Sequence, residues 1–335
     1  MALDSASKAL LQSWAAAAGP NPTPLWQLDA VQARAAAKRK ALQREPGPAM
    51  ARCEDVLIPV GGGSSIPARL LVPTQQPRGL LVYLHGGGWV LGELSEFEVI
   101  GRKLAACTGT AVLLVGYRLA PEHRFPIPLQ DTWNALLWAN EHKVEIAGGN
   151  VPLVIAGDSA GANLAAVVAR WSRERNSPQL AAQVLVYPVT DADFTRGSYH
   201  EPENQTFLPT PAMNWFWDQY VADTSERSHP DASPLRAQDL SGLPVTFLVT
   251  GQHDILRDEG QAYAAAMADA GVEVEHHEMA GQMHGFFNMP GILPASDQAL
   301  EKISSFLDRK LSRPQTYHLP DDQVNAFQVE SSVSA

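Results

Sequence analysis

The chain has 335 residues, 45% of them apolar and 18% charged, enough apolar material to build one large core or two modest ones and to exclude wholesale disorder. Acidic residues outnumber basic ones by 36 to 25, a formal charge of −11; such a surface repels phosphate backbones, which argues against nucleic acid as a partner. The two cysteines, Cys53 and Cys107, form no C-x-x-C pair, so no zinc or redox motif is available, and their scarcity fits a reducing, cytoplasmic setting.

Residues 2–18 read as an amphipathic helix: Asp4 and Lys8 open it, and Gln12, Ser13 and Trp14 interrupt its apolar run, unlike a signal peptide. A second helix is predicted over 26–45, after the break Gly19-Pro20-Asn21-Pro22-Thr23-Pro24. Its basic residues Arg34, Lys38, Arg39, Lys40 and Arg44 read as a solvated helix face. Strands are predicted over 53–60 and 66–73, joined by Gly61-Gly62-Gly63-Ser64-Ser65. The residues after these glycines are strand-like, so no helix N-terminus is offered to a phosphate, and a hairpin turn is expected.

From residue 79 onward short apolar runs (79–85, 110–117, 151–157, 183–187, 245–250 and 272–278) alternate with helical patterns near 96–108, 128–142, 160–173, 259–270 and 295–311. Buried strands separated by helices predict an α/β fold with a mostly parallel central sheet covered on both faces. Such sheets carry their chemistry at the carboxyl ends of the strands. Residues 189–240 break the rhythm: they are polar and proline-rich, with an aromatic patch at Trp215-Phe216-Trp217 and Tyr220, and read as an insertion over the sheet. The tail 312–335 lacks a core-forming pattern and is expected to be loose. No run of about eighteen apolar residues appears, so no membrane span is expected.

The chemistry-bearing motifs all follow strands. Gly157-Asp158-Ser159-Ala160-Gly161 is a G-x-S-x-G sequence between a strand and an alanine-rich helix. Such a turn is sharp and strained, lifts the serine Oγ clear of the sheet, and requires glycine two positions either side. His85-Gly86-Gly87-Gly88-Trp89 comes after the strand ending near residue 84; its glycines allow backbone N–H groups to face a developing oxyanion. The candidate donors are the amides of Gly87, Gly88 and Ala160, with Gly86 as a further candidate. A serine hydroxyl needs a base, and the base an orienting acid. Asp254 and His284 supply them in the order Ser, acid, His, following the strands expected over 245–250 and 272–278. Asp258 competes for the acid but reads as a first-turn helix charge. His253, beside the acid, is placed badly to serve as base. Adjacent His276 and His277 point to opposite faces of a strand and exclude joint metal ligation. His123 and His142 receive no chemistry, and no metal or cofactor is expected.

Together these stretches, with Tyr117-Arg118-Leu119-Ala120-Pro121-Glu122-His123 and Asp254-Ile255-Leu256-Arg257-Asp258-Glu259-Gly260, resemble the bacterial hormone-sensitive-lipase-like esterases of the α/β-hydrolase superfamily over roughly residues 50–310. Ala162 departs from the family's usual third glycine. The resemblance implies an ester hydrolase acting on short acyl chains, without a cofactor, in a chain that pairs as a homodimer. It also implies a division into N-terminal cap helices (1–48), a catalytic core (49–188 and 241–311) and a cap insertion (189–240). Trp89, Phe207, Trp215, Phe216 and Trp217 are candidates to line the substrate pocket; cap packing is the equal reading of the 215–217 cluster. An amidase or carbamate hydrolase with the same triad, and a ligand receptor that has kept a hydrolase scaffold, are the alternatives.

Overall fold

The computed structural model describes residues 2–40 and 46–311. The tail 312–335, and the last five residues of the helix expected over 26–45, lie outside them. In chain order the elements are α1 (Ser5–Ala18), α2 (Ala30–Lys40), β1 (Arg52–Gly61), β2 (Ser64–Val72), β3 (Leu80–Leu84), α3 (Leu94–Thr108), β4 (Ala111–Val115), α4 (Ile127–Ala147), β5 (Leu153–Asp158), α5 (Ala160–Glu174), β6 (Leu180–Val186), α6 (Thr210–Tyr220), β7 (Thr246–His253), α7 (Arg257–Asp269), β8 (Val274–Met283) and α8 (Pro294–Leu311).

The strands form one eight-stranded sheet in the order β1-β2-β4-β3-β5-β6-β7-β8. The β1–β2 and β2–β4 pairs are antiparallel, and β3 through β8 run parallel. The glycine cluster is the expected hairpin: Gly61 pairs with Ser64, and Gly62 and Gly63 between them take left-handed φ values of 59° and 75°, as a two-residue loop between twisted strands requires. One face of the sheet packs against α3 and α8, through Ile100, Leu104, Ile303 and Phe306. The other packs against α4, α5 and α7, through Leu136, Leu164, Val168 and Met267. Residues of β3 and β4 are buried throughout, as strands covered on both sides must be.

The three largest departures from the expected boundaries each have a local reason. The second helix begins at Ala30 because Asp29 caps it: its side chain accepts from Gln32 N at 2.8 Å while Gln32 Oε1 accepts from Asp29 N at 3.3 Å. The residues just before it form a 3₁₀ turn, Leu25–Gln27. α4 continues to Ala147, where Gly148 ends it in a left-handed conformation. β8 runs on to Met283 because its pairing with β7 resumes across a register shift at His253–Met283. The basic face of α2 is not uniformly solvated either. Arg34 donates to the carbonyls of Val90 and Ala120, both at 2.8 Å, and forms a two-pronged pair with Glu122, fastening α2 to the loops beyond β3 and β4.

Candidate active site

Four loops meet at the carboxyl edge of the parallel strands. His85, Ser159, Asp254 and His284 are each the first residue after β3, β5, β7 and β8 respectively. Because these strands are parallel, all four residues lie at one end of the sheet.

Ser159 has φ 54° and ψ −120°, a conformation that an L-residue holds only when its surroundings enforce it. The enforcement is visible in its flanking glycines. A Cβ on Gly161 would lie 2.0 Å from Leu84 O and 2.5 Å from His85 O. A Cβ on Gly157 would lie 2.5 Å from Gly161 C. The turn therefore brings α5 against the end of β3 at a distance only glycine permits. Ser159 N donates to Val186 O at 2.9 Å, which ties the turn to the end of β6.

His284 Nε2 is 3.0 Å from Ser159 Oγ, and His284 Nδ1 is 2.7 Å from Asp254 Oδ2. For both contacts to be hydrogen bonds with a neutral ring, Nδ1–H must donate to the carboxylate and Nε2 must accept from the hydroxyl. All three side chains are buried, Asp254 completely. Asp254 Oδ1 also accepts from Leu256 N at 2.9 Å, so both carboxylate oxygens are engaged. Such a chain of bonds can remove a proton from the serine hydroxyl as it attacks an electrophile and hold the resulting imidazolium. Asp258 takes no part in it. It lies in the first turn of α7 and accepts from Ser198 N at 2.8 Å and Arg257 Nε at 2.9 Å. His253 makes no hydrogen bond to Ser159; among the described residues its buried Nε2 has no partner.

The glycine loop is held from below by His85. Its ring is stacked between Phe97 and Tyr117, with centroids 4.8 and 4.5 Å away. Its Nδ1 is 2.7 Å from Gly86 O, and burial pushes the imidazole down to about 4, so it stays neutral and donates there. Gly87 and Gly88 take φ values of 110° and 59°. A Cβ on Gly87 would lie 2.3 Å from Leu91 O. The three glycines are not equivalent. Gly86 N donates to Asp158 Oδ1 at 3.0 Å, so its amide is already committed, and the candidate donors reduce to Gly87, Gly88 and Ala160. Asp158 itself, the residue before Ser159, is fully buried; its carboxylate also accepts from Tyr83 Oη at 2.7 Å and Asn288 Nδ2 at 2.6 Å.

Residues 81–288 match the family model described as alpha/beta hydrolase fold. The chain is 36% identical over 265 residues to the carboxylesterase NlhH of Mycobacterium tuberculosis, covering 78% of this chain and 83% of that one. It is 34% identical over 264 residues to an ethyl acetate hydrolase of Pseudomonas putida, covering 77% and 82%. The chain belongs to the alpha/beta hydrolase fold family. Among solved structures, this hydrolase is similar to a thermostable esterase from Pseudomonas putida (TM-score 0.84, 32% identity, 93% of this chain and 99% of that one). It is also similar to an esterase from Pyrobaculum calidifontis (TM-score 0.82, 34% identity, 92% and 98%).

The hydrolase distributes its candidate pocket aromatics unevenly. Trp89 has no exposed surface; it is stacked on Tyr220 at 4.2 Å and packed against Trp217 at 5.0 Å. It is therefore a core residue behind the glycine loop, not a wall of an open pocket, and Trp217 is buried with it. Phe216 lies over the glycine loop: a Cβ on Gly88 would be 2.1 Å from its Cδ1. Phe207 lies over the loop of His284, where a Cβ on Gly285 would be 2.6 Å from its Cε1, and its ring centroid is 6.3 Å from that of His284. Trp215 lines an open surface groove of about 620 Å³ with Trp26, Asn214 and Asp218, whose walls include neither Ser159 nor His284. The α-helical step of about 100° per residue separates these three adjacent aromatics onto different sides of α6.

Two residues that sequence reasoning leaves without a role bear on the site: the fully buried carboxyl of Asp158 accepts from Gly86 N, and Tyr187 lays its ring 4.5 Å from that of His284. A third, Glu259, is a fully buried carboxyl bonded to Thr190, Asp191 and Tyr199. An acidic residue closing a run of strand residues is a usable signal, because a buried carboxylate must be paired. Tyr187 carries no such signal. α1 bears on the site as well. Asp4 N donates to Gly281 O at 3.0 Å, and Gln282 Nε2 donates to Asp4 Oδ2 at 2.7 Å, so the first helix is fastened just ahead of His284. Among the described residues no cluster of His, Cys, Asp and Glu is arranged to hold a metal, and no helix is long and apolar enough to cross a membrane.

Proposed function

We propose that this hydrolase cleaves small acyl esters through an acyl-enzyme on Ser159, with His284 as general base and acid and Asp254 as its orienting carboxylate. The chain is a carboxylic ester hydrolase, as its relatives are named. The mechanistic reading rests on one observation: the unbroken hydrogen-bonded line from Asp254 through His284 to Ser159. Ser159 Oγ bonds to the ester carbonyl carbon as its proton passes to His284 Nε2. The N–H groups of Gly87, Gly88 and Ala160 bear the charge on the carbonyl oxygen. The C–O bond to the alcohol then breaks, and His284 returns its proton to the departing oxygen. Water, deprotonated by His284, repeats the attack on the acyl-enzyme and releases the acid.

The preference for small acyl groups is supported by Phe216 over Gly88 and Phe207 over Gly285, which narrow the approach to the glycine loop and to His284. Residues 1–48 and 189–240 act as a cap on the core formed by 49–188 and 241–311. Contacts supporting this include Asp4 with Gly281, Arg34 with Val90, and Trp14 against Phe207 at 5.7 Å. A cytoplasmic site of action is supported by the unpaired Cys53 and Cys107. Homodimerisation is carried over from the family resemblance and is tested by size-exclusion chromatography with light scattering.

The decisive experiment is Ser159→Ala assayed on p-nitrophenyl esters of increasing acyl length. Turnover falls about 10⁶-fold, and labelling by a fluorophosphonate is lost. Near-full turnover by the alanine variant refutes the nucleophile. In the wild type, maximal activity on chains longer than about ten carbons, several methylenes beyond what so narrow a site accepts, refutes the small-ester reading.

A further inference from the structure

The buried carboxylate next to the candidate nucleophile has no part in the proton relay, yet its partners come from the loops that form the site. Asp158 Oδ1 accepts from Gly86 N at 3.0 Å, at the start of the glycine loop, and from Tyr83 Oη at 2.7 Å, at the end of β3. Asp158 Oδ2 accepts from Asn288 Nδ2 at 2.6 Å, in the 3₁₀ turn Phe286–Asn288 just after His284. A Cβ on Gly86 would lie 2.5 Å from Asp158 Oδ2. The first glycine of the loop is therefore required for the approach of this carboxylate, whereas the second and third shape the loop itself.

We propose that Asp158 is a positioning residue for the esterase reaction: it references the glycine loop and the His284 turn to the backbone that carries Ser159. The inference rests on the assignment of Ser159 as nucleophile and His284 as base. Its logic is geometric. Gly87 and Gly88 help only if their amides sit where the oxyanion forms, and displacements of about 1 Å at such sites cost on the order of 10² in rate. Ser159 is bonded to Asp158 through the chain, so a carboxylate that grips both neighbouring loops fixes donors and base relative to the nucleophile at once. Burial pushes the Asp158 carboxyl up from its ordinary range, and its three donors oppose that shift; they supply the pairing that a buried anion needs.

The test compares Asp158→Asn, Asp158→Ala and Asn288→Ala with wild type and with Ser159→Ala. The readouts are kcat and KM on a p-nitrophenyl ester, the rate of fluorophosphonate labelling, and thermal denaturation. Asparagine keeps an oxygen for Tyr83 and Gly86, and the amide of Asn288 can turn over to meet its nitrogen, since Asn288 Oδ1 is otherwise buried without a partner. Asp158→Asn and Asn288→Ala therefore each lose about tenfold in kcat, and Asp158→Ala about 10², with KM changed less than about threefold and labelling slowed in step. Partial rescue by asparagine over alanine marks the hydrogen bonds as the cause. If Asp158→Asn and Asn288→Ala both keep kcat within about twofold of wild type, whatever happens to their melting temperatures, the carboxylate is structural only and the proposal is overturned. Retained turnover in Ser159→Ala instead overturns the underlying reading, so the two failures are distinguishable.

Discussion

At the carboxyl ends of β3, β5, β7 and β8, side chains are held by backbone. Asp254 accepts from Leu256 N, Asp158 accepts from Gly86 N, and the glycines at 157 and 161 allow approaches that no side chain would permit. Residues 189–240 reach the same site differently, with rings: Phe216 over Gly88 and Phe207, 42% exposed, over Gly285. On the proposed reading the first region determines where atoms react, and its glycines 157 and 161 sit at approaches that leave no room for a Cβ. The second determines how much space surrounds those atoms, and a ring of another size serves there without disturbing the sheet. Damage to the lower region should therefore appear in the rate, and damage to the upper region in selectivity.

The sharpest test of that division is Asp254→Asn. The amide keeps the shape but offers the wrong partner to Nδ1–H, turning the imidazole away from the tautomer that accepts from Ser159. The expected outcome is a fall in kcat of about 10⁴ with the fold intact, read by kinetics beside a circular-dichroism melt. A loss smaller than about tenfold breaks the comparison at its base.

The boundary between the regions lies at Gly88, where both meet. Gly88→Ala combines a left-handed φ of 59° with a collision against Phe216, and kcat falls about 10². Phe216→Ala removes the ring alone. Its kcat on an acetyl ester stays within about threefold of wild type, while its preference for an octanoyl over an acetyl ester rises about tenfold or more, as methylenes find room. The double variant recovers part of the Gly88→Ala loss, because the collision is relieved and the backbone strain is not. If Phe216→Ala slows all esters equally, Phe216 belongs with the catalytic region instead.

The contrast also explains what could be read from the chain. Apolar runs disclosed the buried strands β3 to β7 because a strand covered on both faces has no choice of composition. Ser159 stands out as a candidate because its turn imposes glycine at 157 and 161, and Asp254 and His284 because each follows a strand in the order Ser, acid, His expected for such a turn. The end of β8 is not legible in the chain because Gly281 and Gln282 look like loop residues, and its last pairing depends on β7, which periodicity does not report. Trp89 belongs to the core rather than the pocket, a distinction the chain does not carry, because an aromatic beside a glycine loop looks the same in sequence whether it faces substrate or, as here, Tyr220 and Trp217. Asp158, closing an apolar strand, signals that donors must exist, but which chain-distant donors pair it, and that Glu259 on α7 is buried and paired at all, only the fold identifies.

Glu259 links the two regions, and its effect should be the smallest. It sits on α7, fully buried, and accepts from Thr190 N at 2.8 Å, Asp191 N at 3.4 Å and Tyr199 Oη at 2.9 Å, all in the upper segment. Burial pushes its carboxyl from 4.5 up to about 8, with Asp191 adding to the shift and the three donors opposing it. The folded state thus holds a proton that the unfolded chain has released between about pH 4.5 and 8. Stability contributed by this group is complete below the lower value and lost as pH rises through the upper one. Glutamine keeps the shape and cannot ionise. Glu259→Gln should melt like wild type below about pH 4.5 and gain about 2–4 °C above pH 8, with kcat nearly unchanged because Glu259 bonds to neither Ser159 nor His284. Parallel melting curves for the two proteins from acid to alkaline pH would remove the titration, and a large fall in kcat would show that the upper segment positions the reacting groups as well as enclosing them.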